Sequence, residues 1–254
     1  MDCARGVRFQ TKGNKWSQRA IFANIRNNCS LTPFVSFFLM LFKKSPEKFW
    51  DLISTRYAAS PISDRTAYET KIENIKTYLT PEDVVLDIGC GTGTQCGDLA
   101  GHVKQVTGID ISGKLLAIAE QRKAERKLDN IEFIKTSLND ERVKAGCFDM
   151  VMAFYVLHFF EDLDAVVKRV HALLKPGGLF ISETACLGAK NKMAGKLVRF
   201  AVQLGLLPKI NLLTTRQLQQ AMEQAGFILE DKVQFSESNV NYTLFARKLL
   251  IKRP

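Results

Sequence analysis

Short apolar runs alternate with helical patterns between residues 84 and 185. The runs at 84–89, 105–112, 130–138, 148–157 and 179–185 predict strands, and the stretches 97–103, 114–127 and 162–174 predict helices. Strands that alternate with helices of this length form a parallel sheet with helices on both faces. A chain of 254 residues is long enough to bury such a sheet within one domain.

The chain closes on a different pattern. A capped helix is predicted at 214–227, and two strand-like runs, 228–235 and 241–250, follow it on either side of a short polar turn. Two strands joined in this way form an antiparallel hairpin. We therefore expect an α/β fold with a seven-stranded mixed sheet, mostly parallel, that ends in a C-terminal antiparallel hairpin near one edge.

The positive charge of the chain is concentrated at its start. Residues 1–45 carry a net charge of +7, whereas the remaining residues carry only +3. The apolar run 31–42 is shorter than the roughly 20 residues that a transmembrane helix needs. Three interpretations of this basic extension stay open: sequence outside the working protein with Met40 as its start, an organelle-targeting peptide, or a membrane-surface anchor.

The rest of the chain, 46–254, is predicted to be one domain with two lid elements, 46–80 and 186–213. Ser45 and Pro46 open one helix ahead of the first strand, and Asp64 caps a second. The Lys-bearing segment 186–213 is amphipathic and is predicted to be helical. Six cysteines without zinc-ligand spacing or a disulfide framework indicate a reducing compartment, the cytoplasm, and no metal site.

A glycine-rich turn follows the first predicted strand, in the sequence VVLDIGCGTGTQCG at 84–97. Gly89, Gly91 and Gly93 give the spacing G-x-G-x-G, whereas the dinucleotide fingerprint would need a glycine where Thr94 stands. Asp87 is expected to lie in the turn and to face the ligand, where it would repel a pyrophosphate and attract a cation.

A second acid, Asp110, ends the second predicted strand in the sequence GIDIS. A carboxylate at that place can accept hydrogen bonds from both hydroxyl groups of a ribose. The two acids together describe a ligand with adenosine at one end and a cationic amino acid at the other, which is S-adenosylmethionine.

Four segments in this order resemble class I S-adenosylmethionine-dependent methyltransferases. They are DIGCGTG, the acid in GIDIS, FDMVMAFYVLHFFED and LLKPGGLFISE, and the resemblance covers about residues 46–250. The chain is more closely similar to bacterial small-molecule methyltransferases, including those that act on quinone precursors. The resemblance implies a Rossmann-like sheet.

The resemblance also implies roles for individual residues along the cofactor. Asp87 and the three glycines would line the methionine end, where Cys90 is a small filler. Asp110 would hold the ribose, and Ile111 would flank the adenine. Ser137, beside Leu138, stands where the family often has an acid facing the adenine amino group. Phe154 and Tyr155 would face the sulfonium and the acceptor.

No catalytic residue is assigned on the acceptor side. Tyr155, His158 and Glu183 follow or end predicted strands at the expected site, so each is a candidate acid or base. For His158 and for Glu183, a structural capping role is the interpretation that we favour. Methyl transfer from a sulfonium needs chiefly an aligned nucleophile, so the chemistry demands no fixed acceptor motif.

The sequence thus predicts in-line methyl transfer to a small, partly apolar acceptor. Nucleic acid is not expected as a partner, because the body of the chain is nearly neutral and FYVLHF replaces an Asn/Asp-Pro-Pro-Tyr/Phe motif. Two alternatives remain: a nicotinamide-dependent oxidoreductase, and a non-catalytic S-adenosylmethionine-binding protein that contacts a membrane through 1–45. The oligomeric state is left open.

Overall fold

The computed structural model describes residues 45–184, 196, 200–202, 207–235 and 242–250. Its helices are α1 (Pro46–Ala59), α2 (Arg65–Lys76), α3 (Thr94–Leu99), α4 (Gly113–Glu125), α5 (Leu163–Leu173) and α6 (Thr215–Gln224). Its strands are β1 (Val84–Ile88), β2 (Gln105–Asp110), β3 (Ile131–Lys135), β4 (Phe148–Phe154), β5 (Leu174–Thr184), β6 (Phe227–Val233) and β7 (Tyr242–Lys248). Short 3₁₀ turns occupy Ala100–His102 and Leu157–Phe159. Of the predicted extension 1–45 only Ser45 is described, and most of the predicted lid 186–213 lies outside the described residues.

The strands form one sheet in the order β3-β2-β1-β4-β5-β7-β6. Neighbours from β3 to β5 are parallel, whereas β7 runs antiparallel to both β5 and β6. The predicted Rossmann-like mixed sheet with its C-terminal hairpin is confirmed. The strand order reverses between β1 and β4, which is where open α/β sheets bind their ligands, outside the carboxyl ends of the strands.

Helices cover both faces of the sheet because successive residues of a strand point to opposite sides. Leu86 belongs to a cluster that includes Val170 of α5 and Met222 of α6. Val85, its neighbour in β1, belongs to a second cluster that includes Ile75 of α2. The near-continuous apolar runs of the sequence are therefore strands that are buried on both sides.

Several predicted boundaries shift in the structure. The predicted strand at 148–157 ends at Phe154, because Tyr155 adopts a left-handed backbone with φ of 55° and turns the chain into a 3₁₀ turn. The strand predicted at 179–185 begins earlier, at Leu174, so Lys-Pro-Gly-Gly at 175–178 lies within β5 and not ahead of it. These residues coincide with a register shift of β5 against β4 between Phe148 and Met150.

The first helix, α1, is fastened to the ligand-binding edge of the sheet. Its Asp51 accepts hydrogen bonds from the Ser112 hydroxyl at 2.6 Å and the Lys114 amide at 3.1 Å. Arg122 of α4 donates to the carbonyl oxygen of Ala58, at the end of α1, at 3.1 Å. These contacts hold α1 against α4 and against the residues that follow β2. Within the described residues, no helix is long and apolar enough to cross a membrane.

Candidate active site

The turn after β1 brings the backbone close to the ligand-binding edge. Gly89 and Gly91 have φ values of 70° and 54°, in the left-handed region that favours glycine. A Cβ atom on Gly89 would lie 2.7 Å from a methyl carbon of Val156, too close for a real contact. The amide of Gly89 donates to the carbonyl oxygen of Ile109 at 2.8 Å, so the turn is fixed against β2.

Asp110 lies at the end of β2, directly beside this turn. One carboxylate oxygen accepts from the amide of Gly91 at 3.0 Å, and the other accepts from the amide of Ser112 at 2.8 Å. The Ile111 amide also acts on this carboxylate. Because a carboxylate has about four lone-pair sites, it still has capacity for a further donor. Burial raises the pKa of Asp110 above its ordinary value, although these backbone hydrogen bonds oppose the shift.

A cavity of about 420 Å³ opens beside Asp110, and we call it the cofactor cavity. Its volume and its mostly apolar wall are those of a small-molecule site. Seven residues predicted to bind the cofactor line this one cavity: Gly89, Gly91, Asp110, Ile111, Ser137, Leu138 and Phe154.

A second cavity of about 550 Å³ lies between the sheet edge and helices α1 and α2, and we call it the acceptor cavity. Cys90, Tyr68, Lys71 and Glu183 belong to its wall. Tyr57 and Tyr155 line both cavities, so the two spaces share a boundary made by these two rings.

A buried charged cluster forms one side of the acceptor cavity. Lys71 of α2 donates to one carboxylate oxygen of Glu183 at 2.6 Å, and Tyr155 donates its hydroxyl to the other. The Lys71 ammonium also lies 4.6 Å from the ring centre of Phe154. Both charges of the ion pair are therefore held by partners, as buried charges must be.

The comparisons with known proteins agree with this geometry. The family described as "Methyltransferase domain" matches residues 79–234, more than half of the chain. The chain belongs to this methyltransferase family. S-adenosylmethionine is the methyl donor of the domain, and the resemblance to class I methyltransferases is confirmed. The nicotinamide-dependent alternative is not supported.

Curated relatives of this methyltransferase include enzymes with known names. A ubiquinone biosynthesis O-methyltransferase of Albidiferax ferrireducens is 32% identical over 126 residues, which are 49% of this chain and 50% of that protein. The match thus spans half of that relative's length. A protein of the same name from Saccharophagus degradans is 25% identical over 82% of this chain and 94% of its own.

The fold recurs in solved structures. The crystal structure of the [4+2]-cyclase SpnF superposes with a TM-score of 0.66 and 20% sequence identity, over 80% of this chain and 96% of that one. At that identity the likeness concerns the fold alone.

The residues of the methyltransferase fit the donor that the family uses. The free lone pairs of Asp110 suit the hydroxyl groups of a ribose, and Ile111 offers an apolar contact for an adenine ring. Among the described residues, the Nδ1 atom of His158 is a buried polar atom without a hydrogen-bond partner. It belongs to the wall of the cofactor cavity, where an adenosine has polar atoms to offer.

This placement also bears on the acid–base candidates. His158 lines the cofactor cavity and not the acceptor cavity, and burial lowers its pKa to about 4. Its imidazole is therefore neutral at physiological pH, and it does not belong to the wall shared with Glu183. Tyr155 and Glu183, in contrast, are brought together on the acceptor cavity.

Asp87 does not lie in the turn where the sequence placed it, and Gly93 lies in that turn but away from both cavities. Asp87 is within β1 and not in the turn, is 2% exposed, and accepts a hydrogen bond from the Cys96 thiol at 3.3 Å. A Cβ atom on Gly93 would lie 2.6 Å from the Phe133 ring, so this glycine faces the interior and allows close packing. Neither Asp87 nor Gly93 is among the described residues that line the two cavities.

The buried position of Asp87 has an electrostatic consequence. Removal from water raises the pKa of its carboxyl to about 7, with a further contribution from Asp110. The carboxyl is therefore close to half-ionised at neutral pH, and a cation bound nearby would favour the ionised form.

The sequence did not point to Lys71, although this residue forms the buried ion pair with Glu183. It lies between Tyr68 and Ile72 on the face of α2 that packs against the sheet. A lysine within an apolar stripe is the signal that could have found it, since a buried lysine requires a partner. Its partner was not identifiable, because Glu183 lies 112 residues away.

Proposed function

We propose that this methyltransferase transfers a methyl group from S-adenosylmethionine to a small, partly apolar molecule bound in the acceptor cavity. The observation that carries the proposal is the shared boundary of the two cavities at Tyr57 and Tyr155. A donor in one cavity and an acceptor in the other would approach each other at this boundary. In-line displacement requires that arrangement, and alignment alone provides most of the catalytic effect.

The donor would be held by the residues of the cofactor cavity. Asp110 would bind the ribose hydroxyls, with Ile111, Ser137 and Leu138 around the adenine. Gly89, Cys90 and Gly91 would approach the methionine portion, with Asp87 acting on its ammonium from behind the turn. When bound, the donor supplies an electrophilic methyl group on a sulfonium.

The wall of the acceptor cavity supports a small acceptor. Tyr57, Tyr68 and Phe235 present aromatic surface, while Lys71 and Glu183 offer a polar end. The volume of about 550 Å³ is in the range of cavities that bind small organic molecules. The ubiquinone biosynthesis O-methyltransferases among the relatives carry names that agree with such an acceptor.

The test begins with donor binding. Titration calorimetry is expected to show binding of S-adenosylhomocysteine and none of NADH. The protein is then incubated with radiolabelled S-adenosylmethionine and a cell extract from which small molecules, nucleic acids and proteins are separated. Label is expected in the small-molecule fraction, and the Asp110→Ala variant should lose it. Label confined to nucleic acid or protein would contradict the proposal.

The cytoplasm stays the predicted location of the enzyme, and targeting to an organelle or peripheral membrane contact through 1–45 are the alternatives. A variant that lacks 1–39 provides the test. If the basic extension binds anionic lipid, the full chain should sediment with phosphatidylserine vesicles and the shortened chain should not. Equal behaviour of the two chains would remove the membrane prediction.

A further inference from the structure

The cluster of Tyr155, Glu183 and Lys71 lies on the wall of the acceptor cavity, and its geometry also suits a chemical role. We propose that Tyr155 and Glu183 form a proton relay that accepts the hydroxyl proton of a phenolic acceptor. This inference rests on the proposed function, because it assigns a chemistry to the same cavity.

The relay is built from the ends of two neighbouring strands. Phe154 of β4 is paired with Glu183 of β5, so the next residue, Tyr155, follows directly beside this carboxylate. The amide of Tyr155 donates to the carbonyl oxygen of Glu183 at 2.7 Å, and its hydroxyl donates to the Glu183 side chain. Backbone and side chain thus both fix the tyrosine on the glutamate.

The backbone of Tyr155 is strained to reach this position. Its φ of 55° is uncommon for a residue other than glycine and costs of the order of 1 kcal/mol or more. Strained residues of this kind cluster at functional sites, where the surrounding structure fixes them. In this conformation the hydroxyl reaches Glu183 while Tyr155 stays 41% exposed on the cavity wall.

Lys71 supplies the countercharge that a buried carboxylate needs. Its ammonium lies 2.6 Å from Glu183 and within 5.8 Å of the ring centres of Tyr68 and Tyr155. Of the titratable groups around Glu183, Lys71 and Tyr155 contact it, Tyr68 contacts the lysine, and Asp87 interacts with the lysine at longer range. Before the reaction, Tyr155 therefore keeps its proton and lies beside the ion pair of Lys71 and Glu183.

The acidity of the acceptor follows from the final position of the proton on Glu183. A phenol has an ordinary pKa of about 10, as the tyrosine side chain has, and an aliphatic alcohol is a far weaker acid. Proton transfer to a carboxylate is uphill from both, but much less so from a phenol, and general-base catalysis is efficient only where that gap is small. Aromatic walls at Tyr57 and Tyr68 also suit a flat ring.

The proton and electron balance is simple. The acceptor O–H bond breaks, its proton passes to the hydroxyl oxygen of Tyr155, and the proton of Tyr155 passes to Glu183. The electron pair stays on the acceptor oxygen and forms the new bond to the methyl carbon. The bond between that carbon and the donor sulfur would break, and its electron pair would leave on the sulfur of S-adenosylhomocysteine. The protonated Glu183 returns its proton to water through the open cavity.

The test compares two phenols of different acidity with the full chain. 4-Ethylphenol keeps its proton near neutral pH, whereas 4-nitrophenol is largely ionised there and needs no base. Tyr155→Phe is expected to lower methylation of 4-ethylphenol about 10²–10⁴-fold, the usual effect of a lost general base. Methylation of 4-nitrophenol should fall by less than about tenfold. A Glu183→Gln, Lys71→Met double variant, which leaves no buried unpaired charge, should give the same contrast.

Tyr78→Phe is the matched control. Its ring stacks on Phe245 at 5.2 Å and lies outside both cavities, so both phenols should react as with the parent protein. Equal losses on both phenols in the Tyr155 variant would show a merely structural role and overturn the relay. So would no loss on either phenol, or no methylation of either phenol by the parent protein. S-adenosylhomocysteine binding is measured separately. Intact binding would mean that only the relay has failed, whereas lost binding would mean that the proposed function has failed as well.

A second readout does not depend on turnover. Ionised 4-nitrophenol absorbs at longer wavelength than its neutral form, so a spectrum shows the ionisation of the bound molecule. In the presence of S-adenosylhomocysteine, the ionisation midpoint of bound 4-nitrophenol should lie at lower pH with the parent protein than with Tyr155→Phe. An unchanged midpoint would contradict proton acceptance by the relay.

Discussion

The ammonium of Lys71 lies 2.6 Å from the carboxylate of Glu183, and their side chains are only 6% and 10% exposed. This ion pair joins α2 to the end of β5. A buried pair of this kind adds little net stability over an apolar pair, but the removal of one partner leaves an uncompensated charge. The pair thus fastens the helix that covers the acceptor cavity to the sheet.

The first prediction concerns the cost of breaking this pair. Lys71→Met should lower the free energy of unfolding by about 3–5 kcal/mol, because Glu183 is left buried and charged. The Lys71→Met, Glu183→Gln double variant should recover much of the loss. Urea denaturation followed by circular dichroism measures both values.

The exposed pair of Arg65 and Glu69 on the same helix is the control, since both side chains are more than half exposed. Arg65→Ala should have no measurable effect, because exposed ion pairs contribute little. If Lys71→Met also left the free energy of unfolding unchanged, the ion pair would not stabilise the contact between α2 and the sheet.

The second prediction concerns Asp110 as the ribose ligand. Each hydrogen bond to a charged group contributes about 1.5–3 kcal/mol, so loss of two should weaken S-adenosylhomocysteine binding by roughly 10²–10⁴-fold in Asp110→Ala. Titration calorimetry measures the affinity. Asp129→Ala, at an exposed position ahead of β3, should bind as the parent does. Undiminished binding by the Asp110 variant would remove the ribose assignment.

The third prediction concerns pH and Asp87. Burial raises the pKa of its carboxyl from 3.8 to about 7, so the attractive negative charge is present above pH 7 and lost below it. The affinity for S-adenosylhomocysteine should therefore fall as pH drops from 7.5 to 5.5, by up to about tenfold per unit below pH 7. Calorimetry across this range measures the slope.

The Asp87→Asn variant supplies the comparison for that slope. The amide cannot ionise, so most of the pH dependence should disappear, and Asp110 alone would account for what remains. An identical slope in both proteins would show that Asp87 has no part in cofactor binding.

The fourth prediction separates strain from crowding at the glycine turn. Gly89 combines a φ of 70° with a contact of 2.7 Å to Val156, whereas Gly146 has a φ of 67° with no atom within 4 Å of an added Cβ. Gly146→Ala should cost only the left-handed backbone term, about 1–2 kcal/mol. Gly89→Ala should cost more and should also abolish S-adenosylhomocysteine binding, because it displaces the cavity wall.

Gly101→Ala, with an unstrained φ and open space around the Cβ, should leave stability and binding unchanged. Thermal unfolding and calorimetry measure the three variants together. Similar stability losses at Gly89 and Gly146 with intact binding would show that the turn tolerates a side chain.

Much of the cofactor side could be predicted because its signals are local in the chain. Asp110 and Ser137 follow single strands, and parallel strands bring their carboxyl ends to one edge. The conformation of Tyr155 could not be predicted, since a positive φ at a tyrosine has no sequence signal. Asp87 was placed in the turn because strand ends carry no sharp marker; in the structure β1 extends one residue past it.

The sequence by itself determined the alternating α/β pattern, the mixed sheet with its final hairpin, the glycine turn and the methyl donor. Each depends on periodicity or spacing within a few tens of residues. Only the tertiary structure decided the insertion of β7 between β5 and β6, the burial of Asp87 and the meeting of Lys71 with Glu183. These features arise from contacts between distant segments, whose partners are selected by packing and desolvation and not by any local pattern.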